Sequence, residues 1–260
     1  MPNLLQFNPA QFIGFAIIFA RLSGVMITAP VLNDANIPPQ IKVAFTFLLS
    51  LILFPVVARP DIGANPNVWR LAVVLTGEVA VGILIGFTAQ LLFAGIGIEG
   101  EVVGFQMGLS IANVLDPVTQ TQVSVISTFK TIVALMLFVA LDGHHVFLEA
   151  LARSYAIVPA GGVELKAAGM SHYMGVAARM FVTGLQLGAP LIVALLAANV
   201  GVGLVARAVP QVNIFVVGYP FTILAGLVLM VLAMPFFLEG VALMQRGLEE
   251  AILTGLRALR

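Results

Sequence analysis

The chain has 260 residues, 60% of them hydrophobic and 9% charged, which leaves too few polar side chains to cover a soluble globule. Its 12 basic and 12 acidic residues cancel, so electrostatic recruitment of nucleic acid is excluded as a leading role. There is no cysteine, which removes disulfides, thiolate metal sites and cysteine nucleophiles together. An integral membrane protein is expected. The amino terminus has no lysine or arginine before its first apolar stretch, so it lacks the charged start of a cleavable signal, and the first helix is expected to be retained.

In chain order, residues 12–32 read as an apolar helix with Arg21 near its middle and Pro30 limiting its far end. A lone arginine there costs about 2.5–3.5 kcal/mol on insertion scales, so it should face protein or a wet cavity. A turn-rich connector with Pro38 and Pro39 precedes a second helix over 41–58. The polar loop 59–70 ends in Trp69 and Arg70, an interfacial pairing. Residues 71–98 are apolar for longer than one span needs, and carry Glu78 early, with Gly82 and Gly86 at the spacing of a close helix seam.

Residues 100–127 differ in kind. On a helix, Gly100, Gly104 and Gly108 share one face while Gln106, Ser110 and Asn113 share the opposite one. Each helical glycine costs roughly 1 kcal/mol relative to alanine, so this helix needs a closely packed neighbour and reads as a moving part. Asp116-Pro117 then ends it. The run 129–141 is short for a bilayer and suits half of a hairpin. Polar residues 142–171 hold an amphipathic helix over 146–157, and a second long apolar run, 176–206, is interrupted by Pro190. A break near Arg207 and Pro210 separates it from a last run, 215–238, with an amphipathic tail over 241–260. Five to seven spans are expected, because proline-broken runs can be hairpins.

Glu78, Arg21, Lys130 and Arg207 are charges in or beside apolar runs. They are scattered, with no repeated acidic position, so packing or inter-subunit pairing is favoured over an ion pathway. His144 and His145 lie beside Asp142 and Glu149. Adjacent helical residues point to different faces, so this spacing favours a loop-edge pair over a metal site, and no metal is expected. No phosphate-binding loop, metalloprotease motif or nucleophile elbow is present, so neither an enzyme nor a cofactor is expected.

Five segments together resemble one family. FARLSGVMITAPVL (19–32), IPPQIKV (37–43), GFQMGLSIANVLDP (104–117), DGHHVFL (142–148) and RAVPQVNIFVVGYP (207–220) are similar, in order and at the usual length, to the FliR family of flagellar export-gate proteins. Their virulence-system counterparts form the SctT group. The resemblance implies an all-α fold of long, proline-broken helical hairpins, in one domain: 1–98 as N-terminal helices, 99–128 as a plug segment, 129–240 as C-terminal hairpins and 241–260 as the tail. It implies a non-enzymatic inner-membrane subunit of the flagellar basal body, assembled with FliP and FliQ beside FlhB and FlhA, which passes unfolded export substrates. It also implies a pore plug, carried over onto Phe105, Gln106, Met107, Leu109, Ile111, Asn113 and Val114. The virulence-system subunit and a stand-alone secondary transporter, with a site near Pro190 and Pro210, are the alternatives.

Overall fold

A chain this poor in polar side chains must satisfy its backbone internally. In the computed structural model, the described residues (9–30, 32–33, 37–55, 57, 67–109, 124–159, 167–209 and 214–258) do so with eight helices and no strand. These are α1 (Pro9–Thr28), α2 (Pro39–Leu53), α3 (Val68–Gln106), α4 (Val125–Ala140), α5 (Gly143–Ile157), α6 (Ala167–Gln186), α7 (Ala189–Ala208) and α8 (Ile214–Arg257). Four of them, α1, α3, α7 and α8, are long and apolar enough to cross a membrane, and α4 with α5 makes a fifth if that broken pair counts as one span. This sits at or below the lower end of the sequence expectation, because α2 and α4, at 15 and 16 residues, are too short to cross singly. The 39 residues of α3 and the 44 of α8 extend about 58 Å and 66 Å at 1.5 Å per residue, roughly twice a hydrocarbon core of ~30 Å. The expected boundaries at 98/99 and 240/241 therefore fall inside continuous helices. Pro220 and Pro235 both lie within α8 without ending it.

The chain forms two units, each assembled from separate segments: Met1–Leu91, Asp142–Met180 and Gly247–Arg260 in the first, Leu92–Leu141 and Phe181–Arg246 in the second. In the first unit α1 and α3 run side by side in parallel. A Cβ on Gly82 would overlap the Arg21 carbonyl and fall 2.9 Å from the Gly24 Cα, and one on Gly86 would lie 2.8 Å from the Ala29 nitrogen. The helices meet backbone to backbone, which only glycine permits. The Thr28 hydroxyl donates across the seam to the Ile83 carbonyl at 3.1 Å. Helix α2 is turned inside out: Thr46 and Ser50 are buried while Phe45, Leu48, Leu51 and Ile52 are exposed. Its hydroxyls donate to carbonyls one turn back, Lys42 and Thr46, each at 2.7 Å, so they need no outside partner. Tyr173 of α6 donates to the Leu84 carbonyl at 2.5 Å and pairs with the Thr88 hydroxyl at 2.8 Å. Burial pushes its phenol up to about 12, so it remains a protonated donor at any physiological pH.

In the second unit α3 packs against α6 at a second glycine crossing, where a Cβ on Gly184 would fall 3.1 Å from the Gly95 Cα and 2.6 Å from the Leu92 carbonyl oxygen. A core of Val103, Met107, Ile126, Leu191 and Leu195 joins α3, α4 and α7, with Leu229 and Met230 of α8 packed on it. Most of the remaining surface of α7 and of the first half of α8 is uncovered: Val193, Leu196, Val200, Leu204, Val216, Leu224, Val231 and Phe236 are all exposed.

Candidate functional site

The end of α3 and the start of α4 form the two legs of a hairpin around residues 110–123. The legs are antiparallel and tightly joined. The Ser127 hydroxyl donates to the Gly97 carbonyl at 2.7 Å. A Cβ on Gly100 would lie 2.5 Å from the Ser127 Cα, and one on Gly104 2.7 Å from the Ser124 hydroxyl oxygen. Ser124 is also the N-cap of α4, its side chain accepting from the Ser127 N–H at 3.4 Å. Both glycines thus fit a close approach between the legs.

Gly108 does something else. The helix expected to carry it beside Gly100 and Gly104 stops at Gln106, and Gly108 takes a left-handed backbone with φ 84°. The Leu109 N–H reaches back to the Gly104 carbonyl at 3.1 Å and the Gly108 N–H to the Phe105 carbonyl at 3.0 Å. This paired closure is the Schellman stop, in which a residue at positive φ lets the chain bend back onto its last free carbonyls. The expectation of one helical face through Gly108 is corrected: the four-residue spacing of glycines is shared by a packing stripe and a helix terminator.

The residues named for the plug fall into distinct environments. Phe105 is 73% exposed. The Gln106 carbonyl accepts from the Asn199 side-chain amide at 3.0 Å, while its side-chain oxygen is buried without a hydrogen bond among the described residues. Met107 is 0% exposed, at the centre of the second unit's core. Its carbonyl accepts from the Thr222 hydroxyl at 3.2 Å, and its side chain fills the space that a Cβ on Gly226 would occupy, 2.5 Å from Cγ and 2.8 Å from Sδ. Leu109 is half-buried against the same core. Ile111, Asn113 and Val114, together with Ser110, lie outside the described residues.

The charges flagged in the apolar runs are also sorted. Arg21 and Glu78, both 0% exposed, meet each other: Arg21 Nε donates to Glu78 Oε2 at 2.6 Å. Arg21 Nη1 donates to the Ser154 hydroxyl at 2.9 Å and Nη2 to the Val158 carbonyl at 3.0 Å. The guanidinium lies over the Tyr155 ring, 3.9 Å from its centroid. All three nitrogens have a partner, which is the condition for burying an arginine. Neither side chain has surface left for a second subunit. Lys130, 3% exposed, pairs with Glu99, 0% exposed, and its ammonium sits 4.5 Å from the centre of the Phe237 ring. The Glu99 side chain occupies the space beside Gly188, and its Oε1 has no hydrogen bond among the described residues. Sequence reasoning missed Glu99; the available signal was a carboxylate within an apolar helix, one residue before the glycine-spaced stretch. Arg207, in the last turn of α7, is exposed, so the buried role considered for it does not apply.

The histidine pair sits, as expected, at a loop edge where a helix starts, but its donors converge more closely than the spacing suggested. Asp142 precedes α5 with φ 57° and ψ 31°, a left-handed backbone for which aspartate is among the more tolerant residues. The donor atoms of Asp142, His144 and His145 lie within 4.8 Å of one another, and all three residues are exposed. The argument from helix faces fails because these residues sit on a turn and the first residues of a helix, not on a regular helical face.

The profile of the bacterial export proteins, family 1, matches residues 12–246. The chain is 31% identical over 238 residues to the flagellar biosynthetic protein FliR of Escherichia coli (strain K12), covering 89% of this chain and 90% of that protein. It is 31% identical over 241 residues to FliR of Bacillus subtilis (strain 168), covering 90% and 89%. With FliR of Caulobacter vibrioides it shares 34% identity over 230 residues, covering 88% and 89%.

Proposed function

This chain belongs to the FliR family of bacterial export proteins, and from that premise we propose that it is a subunit of a protein-conducting gate closed by residues 110–123. Its class follows from the family and the apolar helices: it is a membrane protein of the flagellar export apparatus. In the proposed role it stands in the bacterial inner membrane with FliP and FliQ, beside FlhB and FlhA, and passes unfolded flagellar proteins without enzymatic chemistry of its own.

The observation that carries the plug reading is the rigid base of the hairpin. One leg ends at a left-handed glycine whose neighbour Met107 is locked into a core, and the other begins at a capped Ser124. A closing segment hung between two fixed points can be displaced by a passing chain and return to the same place. In this scheme Phe105, Gln106, Met107 and Leu109 belong to the base, and Ile111, Asn113 and Val114 to the closing segment. The uncovered apolar faces of α7 and α8 support assembly, since patches this extensive seek lipid or protein.

The test has two arms. A tagged chain is purified with its neighbours and the partners identified by mass spectrometry; a stable complex containing FliP and FliQ is expected, and recovery of the chain alone would refute the assembly. Deletion of residues 110–114 is then expected to raise small-ion conductance of the membrane with the complex intact. Unchanged conductance would refute the plug.

A further inference from the structure

We infer that Asp142, His144 and His145 form a binding site for a divalent transition-metal ion of the zinc type at the start of α5. His144 Nε2 lies 3.9 Å and His145 Nδ1 3.5 Å from the same carboxylate oxygen, Asp142 Oδ1, and the three donor atoms fit within 4.8 Å of one another. Metal–ligand bonds of about 2.0–2.2 Å place tetrahedral ligands roughly 3.3 Å apart. The donors are thus already near coordination distance, and exposed side chains can close the remainder by small torsional shifts.

The local backbone produces this convergence. On a regular helix residues 142, 144 and 145 would spread over most of the circumference. Here the left-handed Asp142 turns the chain into α5, while its carbonyl accepts the His145 N–H at 2.8 Å. The two imidazole rings consequently lie 4.2 Å apart between centroids, tilted by 37°. Two imidazoles and one carboxylate select zinc, cobalt or nickel over magnesium or calcium. Three protein ligands leave a fourth position for water. The nearest charged groups along α5, Glu149 and Arg153, pair with each other at 2.5 Å, and Arg153 also pairs with Glu249 at 2.9 Å, so that cation's charge is offset.

The test uses the full chain, purified in detergent with a histidine-free tag. Titration with zinc chloride by calorimetry is expected to show one ion per chain, and cobalt(II) to give the intense visible bands of a four-coordinate site. H144A, H145A and D142N are each expected to weaken zinc binding at least ~10-fold, the scale on which even supporting residues of metal sites act. H172A, which alters the remaining histidine, should leave it unchanged. All three proposed ligands are exposed, so the variants should elute like the parent. A parental isotherm matching that of the H144A/H145A double variant would overturn the site. So would a cobalt spectrum of the parent without those bands, independently of how any variant folds.

Discussion

Substitution of Gly108 gives the sharpest prediction. Its φ of 84° costs an L-residue about 1–2 kcal/mol, least for asparagine. A Cβ at this position would also lie 2.5 Å from Cδ1 and 3.0 Å from Cε1 of Tyr219 on α8, an overlap of the kind that costs about 1–3 kcal/mol in a packed interior. Gly108→Ala should therefore lose about 2–5 kcal/mol, and Gly108→Val more, because a β-branched side chain fits the left-handed region worst. The two contributions can be separated. In a double-mutant cycle with Tyr219→Ala, the steric part should appear as a coupling of about 1–3 kcal/mol, while the backbone part remains in the double variant. Thermal unfolding of the purified chain measures stability, and swimming-halo diameter reports export. G108N should retain the most motility and G108V the least. If G108A unfolds like the parent and the cycle shows no coupling, the helix stop at Gly108 and its contact with Tyr219 are both refuted.

The buried ion pairs make a second prediction. Lys130→Met or Glu99→Leu alone should destabilise by about 3–5 kcal/mol, because each leaves the other charge buried and unpaired; the double change should recover most of that loss. Measured as melting temperature in detergent, K130M and the double variant should separate by several degrees, and equal melting would refute the clamp. Arg21→Leu should behave like K130M, whereas Glu78→Gln should be milder, since the amide oxygen can still accept from Nε. The glycines supply a third. Gly82→Ala should lower stability by about 1–3 kcal/mol through overlap with the Arg21 carbonyl. Gly201→Ala on α7, where an added Cβ meets nothing within 4 Å, should be neutral or raise it by up to about 1 kcal/mol through helix propensity. A loss at Gly201 equal to that at Gly82 would show that the α1–α3 seam carries no special constraint.

The helical, membrane-type character was legible because it depends on composition and run length, which act locally. What needed the structure was register between distant helices. Arg21 demanded a partner from sequence alone, and Glu78 was visible, yet nothing local joined two residues 57 positions apart. Lys130 was visible too, but its partner Glu99 was overlooked beside the more conspicuous glycines. The same limit explains Gly108: a four-residue spacing is compatible with a stripe or a stop, and only the backbone bonds to Phe105 and Gly104 decide between them.

The glycines and the charges belong to one pattern. On α1 the order is Arg21, Gly24, Thr28; on α3 it is Glu78, Gly82, Gly86; and parallel packing at Gly24–Gly82 and Thr28–Gly86 puts Arg21 against Glu78 as a matter of register. The second unit repeats the device. Glu99 on α3 adjoins Gly100, whose close approach to Ser127 lays α4 alongside, and Glu99 there meets Lys130 of α4. A carboxylate beside a glycine crossing is thus brought to its cation by the seam that the glycine permits. Removing glycine from such a crossing should loosen the ion pair as well as the packing, and neutralising the pair should remove much of the penalty for widening the seam. The buried charges then act as register marks as much as sources of stability: an apolar seam tolerates a slip of one turn, but a slip that leaves Arg21 opposite carbon atoms strands a charge, at a cost of several kcal/mol.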